Sequence, residues 1–276
     1  MSDRPENPIL GQYPMHLRSL LADVPKAPGV YLFYGANNSL PLYIGKSVDL
    51  RSRLLSHLRN PDEAKMLYQT QRIEHIRCIG EIGALLLESK LIKTMRPLYN
   101  KRLRKIQGLY SIALLDGGIN IVPLKAEPDS DLYGLYKSPA AAKDVLRALA
   151  DEHKLCLMEL GLEPLSKRGC FRSQMGRCLG VCCGRETPEV HYARLCDALS
   201  KRKIRQWPFH GRIAIREREG RKQELHVIDH WHYQGTYKSL VSAQKAPQQT
   251  VAEFDLDSYK ILVRPLFSGS LDVIEL

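Results

Sequence analysis

The stretches Gly29-Val-Tyr-Leu-Phe-Tyr34 and Leu42-Tyr-Ile-Gly45 decide how the first hundred residues fold. Both are rich in β-branched and aromatic residues, and the turn-forming run Gly35-Ala-Asn-Asn-Ser39 lies between them. The pattern therefore predicts a β-hairpin. Because alternate side chains of a strand share one face, Tyr31 and Tyr43 are expected to meet on one side of the hairpin.

The sequence after the hairpin predicts helices that flank the sheet. The expected elements are a helix opened by Ser47 or Asp49 and ending near Leu58, a helix over 61–71, a strand over 73–79, and a helix from Glu81 to about Met95. Together they indicate a small mixed sheet with flanking helices over residues 25–105. We expect residues 1–24 to form an N-terminal extension.

The character of the sequence changes after about residue 105, where we expect a domain boundary. The later elements are strands near 110–115 and 119–124, a helix from Ser138 to about Glu152, a cysteine-rich basic stretch over 156–185, and a helix over 188–200. The expected fold class is α+β. Its second part is a mixed α/β C-terminal domain over 106–276, with a cysteine cluster at 156–183.

The charge of the chain favours a polyanionic partner. The formal net charge is +11, and residues 1–105 hold 17 Lys and Arg against nine Asp and Glu. A basic surface binds nucleic acid because each neutralised phosphate releases condensed counterions. A basic protein without such a role fits the charge equally well, whereas a membrane surface is less favoured because no basic amphipathic helix is evident.

The compartment is expected to be the cytoplasm. The N-terminus is polar and contains Pro5 and Pro8, with no apolar run of the kind that a signal peptide needs. No window of the sequence is apolar enough to span a bilayer. In a reducing compartment the seven cysteines are expected to be thiols or metal ligands rather than disulfides.

Glu88 is the most informative single residue. Ala84, Leu85, Leu91 and Ile92 surround it at helical spacing, which puts a carboxylate on an apolar helix face. A buried carboxylate requires a metal ion, a basic partner or a proton. A structural ion pair satisfies this requirement as well as a metal site does.

Neighbouring residue types fit phosphodiester hydrolysis. That reaction needs a metal ion, a cation that stabilises the charge developing on the phosphate, and a group that accepts a proton. Glu88 is a candidate metal ligand and Arg53 a candidate cation. The candidates for proton transfer are Tyr31, Tyr43, Lys46 and His57. Each of these residues taken alone is more often structural.

The order and spacing of these residues resemble those of the GIY-YIG nucleases. The matching elements are Gly29-Val-Tyr31, Tyr43-Ile-Gly-Lys46, Arg53, Glu88 and Asn100. Pro28-Gly-Val-Tyr31 and Arg96-Pro-Leu-Tyr-Asn100 more narrowly resemble the N-terminal domain of the UvrC-type excinucleases. The resemblance implies a GIY-YIG nuclease domain over 25–105 and hydrolysis of DNA.

The same resemblance implies roles for the individual residues. One divalent cation, Mg²⁺ or Mn²⁺, would bind through Glu88 and water, and Arg53 would hold the scissile phosphate. The tyrosines would position or deprotonate the attacking water, and Asn100 would anchor the end of the Glu88 helix or its water shell. His57 stands where relatives have Tyr or His. Tyr43 is favoured as the base because it lies near Lys46 in sequence, with Tyr31 as its support.

Four cysteines form the second candidate site. Cys156, Cys170, Cys178 and Cys182 are separated by 13, seven and three residues, and only the last pair has a spacing typical of zinc sites. Buried thiols without a metal are the alternative. In UvrC-type proteins, which this stretch resembles, four cysteines at this spacing hold a [4Fe–4S] cluster. Cys183 and Cys196 are expected to be non-ligands.

Basic residues near both sites are expected to contact DNA. They are Lys46, Arg51, Lys101, Arg102 and Arg104 in the first domain, and Lys167, Arg168, Arg172 and Arg177 around the cysteines. The second group contains no acidic residue, which suggests that the cysteine loop also binds DNA.

The expected function is one-sided incision during nucleotide excision repair. After residue 200 we see neither a carboxylate set nor the Gly-rich hairpins that the long UvrC-type proteins use for their 5′ cut. In this respect, and in the stretches Leu162-Glu-Pro-Leu-Ser166, Cys182-Cys-Gly184 and Tyr259-Lys-Ile-Leu-Val-Arg-Pro-Leu266, the chain resembles the short Cho-type members. That resemblance implies a cut only on the 3′ side of a lesion in damaged DNA loaded by UvrA and UvrB. It would dock on UvrB through its aromatic and basic C-terminal region. The alternatives are a stand-alone structure-specific GIY-YIG endonuclease and a non-catalytic DNA-binding module.

Overall fold

The computed structural model of the chain describes residues 15–36, 40–100, 109–115, 118–124, 131–166, 168–247 and 254–276. The described residues belong to two compact units. The first lies within Met1–Ile106, Phe209–Gln249 and Asp255–Leu276, and the second lies within Gln107–Pro208 and Thr250–Phe254.

The first unit begins with the expected hairpin. The strands are β1 (Gly29–Tyr34), β2 (Pro41–Ser47) and β3 (Arg72–Arg77), arranged in the order β2-β1-β3 with every pairing antiparallel. In the register of β1 and β2, Tyr31 lies opposite Gly45 and Phe33 opposite Tyr43. The prediction of a small sheet built on the hairpin is confirmed.

Helices cover both faces of this sheet, which is why all six residues of β1 are buried. The helices are α1 (Met15–Arg18), α2 (Leu50–Leu58), α3 (Ala64–Gln69) and α4 (Glu81–Met95). Asp49 caps α2 by accepting from the N–H of Ser52, as predicted. Phe33, Leu50 and Leu54 form one core with α2, whereas Val30 and Ile92 form another beneath α4.

The expected N-terminal extension is partly incorrect. Leu17, Leu21 and Val24 are buried in the same core as Leu50 and Leu54, so the described residues from 15 onward belong to the fold of the first unit. Burial of this apolar surface is the physical reason that the segment packs against the sheet. Residues 1–14 lie outside the described part of the chain.

The second unit has a sheet of its own. Its elements are β4 (Tyr110–Leu115), β5 (Gly118–Pro123), β6 (Leu132–Tyr136), α5 (Pro139–His153), α6 (Phe171–Gln174) and α7 (Pro188–Ser200), with the strand order β5-β4-β6. Ser138 caps α5 as predicted. Leu146, Leu155 and Leu199 belong to one core that joins α5, α7 and the sheet.

The C-terminal part of the chain returns to the first unit. Its elements are β7 (Ile213–Glu219), β8 (Lys222–Asp229), β9 (His232–Tyr237), α8 (Leu240–Gln244), α9 (Leu256–Phe267) and β10 (Asp272–Glu275), and the strand order is β10-β7-β8-β9. The expected single domain over 106–276 is therefore divided between the two units. The physical reason lies in bonds to α4, such as the pairing of Lys93 with Asp255 at 2.5 Å.

Candidate active site

Glu88 lies in the middle of α4, and its carboxylate reaches the end of β2. Its Oε1 accepts a 3.0 Å hydrogen bond from the backbone N–H of Lys46. Burial raises the pKa of Glu88, while that N–H and the charges of Lys46 and Arg53 act in the opposite direction. Among the described residues none forms an ion pair with Glu88, because the ammonium of Lys46 binds Glu81 instead, at 2.6 Å. The site therefore suits a cation better than a structural ion pair.

Tyr31 and His57 form a buried polar chain beside Glu88. The Tyr31 hydroxyl lies 2.5 Å from His57 Nε2, and the two residues are 1% and 2% exposed. On the other side of the ring, His57 Nδ1 bonds to the carboxylate of Glu63. Because a carboxylate only accepts, Nδ1 carries the proton, and Nε2 of the neutral ring accepts from Tyr31.

Burial shifts the pKa values of both Tyr31 and His57. Desolvation raises the pKa of Tyr31, and neighbouring Tyr43 raises it further. Desolvation lowers the pKa of His57, while the carboxylate of Glu63 opposes that shift. His57 is thus held as a neutral acceptor near neutral pH. Glu63 was missed in the sequence because it lies six residues beyond His57, across a loop that only the folded chain closes.

Arg53 and Tyr43 are the remaining side chains of the site, and Arg53 lies on its solvent-exposed side. Arg53 is exposed, and its hydrogen bond with the Tyr31 hydroxyl raises the pKa of the guanidinium. The Tyr43 ring centroid lies 6.2 Å from that of Tyr31 and 5.7 Å from that of His57. Burial and the charge of Glu88 raise the pKa of Tyr43. Since Lys46 pairs with Glu81, the reason for favouring Tyr43 as the base does not hold in this structure.

Asn100 has a different partner from the one expected. Its Oδ1 accepts from the N–H of Ile44 at 2.9 Å, and its Nδ2 donates to the carbonyl of the same residue at 2.7 Å. Asn100 therefore pairs with the backbone of β2 rather than with the end of the Glu88 helix. It fixes the segment of β2 that presents Tyr43.

Gly45 allows the two tyrosines to approach the strand. A Cβ atom at this position would lie 2.3 Å from the Tyr31 hydroxyl oxygen and 2.9 Å from Cε1 of Tyr43. The Tyr31 hydroxyl is attached to a rigid, buried ring and cannot move away from such an atom. Glycine is thus required by the packing of the site itself.

The second unit brings the four predicted cysteines together. The Sγ atoms of Cys156, Cys170, Cys178 and Cys182 all lie within 4.8 Å of one another, and no disulfide joins them. Cys156 and Cys170 are separated by 3.9 Å and Cys170 and Cys182 by 3.5 Å. Cys183 is exposed and Cys196 is half-buried, and neither belongs to the group. Four sulfurs converging in this way are typical of a metal centre.

The residues expected to bind DNA differ in their surroundings. Arg51 donates to the carbonyl of Ala22 at 2.9 Å. Arg172 pairs with Asp151, which lies outside the cysteine-rich stretch in sequence, at 2.7 Å. Arg168 and Arg177 are exposed. Lys101, Arg102, Arg104 and Lys167 lie outside the described residues.

Three protein families match successive parts of the chain. They are the UvrC-like GIY-YIG domain over residues 27–101, the middle domain of UvrC and Cho excinucleases over 117–201, and the C-terminal domain of excinuclease Cho over 212–276. The last match covers the strands β7 to β10, which belong to the first unit. No helix in the described ranges is long and apolar enough to cross a membrane.

Individual relatives agree with these families. Excinuclease Cho of Escherichia coli K12 is 48% identical over 269 residues, which are 96% of this chain and 91% of that protein. The UvrABC system protein C of Petrotoga mobilis is 30% identical over 67% of this chain and 33% of its own length. A solved structure also matches: the GIY-YIG N-terminal endonuclease domain of Thermotoga maritima UvrC, crystallised with its catalytic magnesium. It is 35% identical to this chain, with a TM-score of 0.28. The match covers 30% of this chain and 94% of that domain.

The packing at Gly45 gives a direct test of the site. We expect Gly45→Ala to displace the Tyr31 hydroxyl and to lower single-turnover cleavage of DNA by about 100-fold, because an error of about 1 Å in a catalytic group has that effect. DNA affinity should stay unchanged. The matched control is Gly35→Ala, whose added Cβ would meet no atom closer than 3.4 Å. Equal cleavage by the two variants would contradict the packing argument.

Proposed function

The chain belongs to the Cho family of excinucleases, metal-dependent endonucleases of nucleotide excision repair, and from this we propose the reaction that it performs. It hydrolyses a phosphodiester bond on the 3′ side of a lesion in damaged DNA loaded by UvrA and UvrB, and it does not make the 5′ cut. The proposal rests on one observation: the half-buried carboxylate of Glu88 has no ion-pair partner among the described residues, and its charge acts on Tyr31, which is bonded to His57.

The residues present fit a divalent cation. Mg²⁺ and Mn²⁺ prefer oxygen ligands, and Mg²⁺ typically binds through one or two carboxylates, water and substrate phosphate. Glu88 supplies one such carboxylate in a site that also contains phenolic oxygens. When bound, the ion polarises the phosphate and lowers the pKa of water.

The side chains of the site provide the remaining chemistry. Arg53 is exposed at the mouth of the site, where its guanidinium binds the scissile phosphate. Tyr31 accepts a proton from the attacking water as its own hydroxyl proton passes to Nε2 of His57. One O–H bond of water and the original O–H bond of Tyr31 break, while a new O–H bond forms on Tyr31 and an N–H bond forms on His57. The water oxygen bonds to phosphorus as the bond from phosphorus to the leaving sugar oxygen breaks, and that oxygen takes a proton from solvent. Glu63 stabilises the imidazolium that results.

Tyr43 takes a supporting role in this proposal. Its ring packs against both Tyr31 and His57, and burial and the charge of Glu88 raise its pKa, which disfavours it as the base. It positions the attacking water while Asn100 holds the strand on which it lies. This assignment exchanges the two tyrosine roles that the sequence favoured.

Incision of a defined substrate tests the reaction. The substrate is an end-labelled duplex with one site-specific lesion, incubated with and without UvrA and UvrB. We expect a single cut on the 3′ side that requires both proteins. Glu88→Gln should bind this DNA and leave it uncut, whereas the exposed control Glu74→Gln should cut normally. Cutting of branched DNA without UvrA and UvrB would instead indicate a stand-alone nuclease, and binding without any cut by the wild type would indicate a DNA-binding module.

The proton path predicts a specific pH dependence. Neutral His57 is the acceptor, so activity falls as the pH drops through the pKa of His57. Glu63 raises this pKa, and Glu63→Gln should therefore move the acidic limb of the cleavage profile to lower pH and lower the maximal rate. Tyr31→Phe should lower the rate of cleavage by about 100-fold or more, which is the usual contribution of a general base.

The matched control for this profile is Asp62→Asn, which removes a neighbouring exposed carboxylate. It should leave both the acidic limb and the rate unchanged. A profile of Glu63→Gln that coincides with that of the wild type would remove Glu63 and His57 from the proton path. Full activity of Tyr31→Phe would return the role of base to Tyr43.

We further propose that the four clustered cysteines hold a metal centre in a reducing, cytoplasmic setting. Resemblance to UvrC-type proteins favours a [4Fe–4S] cluster. The sulfur spacings of 3.5 and 3.9 Å favour a single tetrahedral zinc ion, whose ligands lie about 3.8 Å apart when each Zn–S bond is about 2.3 Å. The exposed Arg168 and Arg177 lie near this loop in sequence and would contact the DNA backbone.

Elemental analysis of anaerobically purified protein distinguishes the two centres. About four iron and four sulfide per chain with visible absorbance would establish the cluster, whereas one zinc without absorbance would establish the single ion. Cys178→Ser should lose either centre, and Cys196→Ser should retain it because Cys196 lies outside the group. Protein without stoichiometric metal would contradict the proposal.

A further inference from the structure

The N-terminus of α4 is capped by a residue from the sheet β10-β7-β8-β9, which we call the C-terminal sheet. Glu217 on β7 accepts from the backbone N–H of Ile82 at Oε1 and from that of Gly83 at Oε2, each at 3.0 Å. These N–H groups have no partner within the helix, and a carboxylate is the favoured group at this positive end. The local cap position holds Gly80, which has no side chain for the task. A residue 137 positions later in the chain therefore supplies the cap.

Two further side chains fix the orientation of Glu217. His226 Nε2 lies 2.9 Å from Glu217 Oε2, and His226 Nδ1 lies 2.8 Å from the hydroxyl of Thr236. The His226 side chain is fully buried and that of Glu217 is 16% exposed. Although burial opposes the shift, the bonds from His226 and Gly83 hold the pKa of Glu217 below its usual range. The cap is thus an ionised, oriented carboxylate.

The glycines of α4 allow this close approach. A Cβ atom at Gly80 would lie 2.1 Å from Oε1 of Glu217, and one at Gly83 would lie 2.5 Å from Cε1 of His226. Glycine inside a helix costs stability relative to alanine. The close contact with His226 in the C-terminal sheet therefore explains why position 83 is a glycine despite that cost.

The C-terminal segment also contacts α4 beyond its first turn. The N–H of Ile79, just before the helix, donates to Glu224 at 3.0 Å. Lys90 donates to the carbonyl of Gln234 at 3.2 Å, and Lys93 pairs with Asp255 at 2.5 Å. Glu88 lies between these attachments. The position of its carboxylate thus depends on residues outside the GIY-YIG domain.

Glu217, Glu224 and His226 also lie close enough together to be metal ligands, with donor atoms within 4.8 Å of one another. The bonding pattern argues against that use. Both oxygens of Glu217 and one of Glu224 accept backbone N–H groups. A cation here would also face the positive end of α4.

We propose that Glu217, oriented by His226, is a positioning residue for Glu88. By capping α4 from the C-terminal sheet, it sets where the Glu88 carboxylate lies in the nuclease site. This inference rests on the proposed role of Glu88 as the metal ligand. The C-terminal segment would accordingly be part of the catalytic apparatus rather than only a docking region.

The test compares Glu217→Ala and Glu217→Gln in the full-length protein, with Glu219→Gln as the control on the same strand. Three quantities are measured: Mn²⁺ affinity by calorimetry, Mg²⁺ dependence of cleavage, and hydrogen exchange at the amides of Ile82 and Gly83. We expect Glu217→Ala to weaken Mn²⁺ binding and to slow cleavage by about 10- to 100-fold, with unchanged DNA affinity and faster exchange. Glu217→Gln keeps one acceptor oxygen and should be intermediate.

Wild-type Mn²⁺ affinity and cleavage in Glu217→Ala, measured below its melting temperature, would overturn the inference even if stability fell. The control Glu219→Gln should match the wild type in all three quantities, since Glu219 pairs with Arg77 on the surface. If the wild type itself does not cut DNA, the proposed function has failed, and Mn²⁺ affinity together with hydrogen exchange still tests the positioning of α4.

Discussion

The candidate active site of the first unit depends on holding one partly desolvated carboxylate, that of Glu88, in place. Glu88 would be costly to bury without compensation, and the compensation comes from the Lys46 N–H and from two nearby cations. Both the strand that supplies the N–H and the helix that carries Glu88 must then be fixed. Asn100 fixes the strand at Ile44, and Glu217 fixes the start of the helix. The site is therefore assembled from segments far apart in the sequence.

Proton transfer in the site follows from the same burial. A buried phenol is a poor base by itself because the phenolate is desolvated. The structure provides Tyr31 with an acceptor, His57, whose ring is oriented by Glu63. A proton can thus move along neutral groups without a free phenolate. Lys46, which resembled an activating neighbour of Tyr43 in the sequence, is engaged with Glu81.

Local patterns allowed much of this to be predicted. The hairpin follows from aromatic and β-branched residues around a turn, the α2 cap from Asp49, and the convergence of four cysteines from their resemblance to a known spacing. What could not be predicted depends on tertiary contacts. Glu63 and Glu217 look like ordinary surface carboxylates in sequence, and their partners are known only once the chain has folded. The division of 106–276 between two units has the same cause.

Binding of the catalytic cation by the Glu88 carboxylate is the central feature of the proposed mechanism. Anomalous diffraction from crystals soaked in Mn²⁺ tests it most directly, using the wild type and Glu88→Gln. We predict one strong peak beside Glu88 in the wild type and none at that position in the variant. A peak that persists in Glu88→Gln, or one that lies instead at Glu217, Glu224 and His226, would contradict the claim.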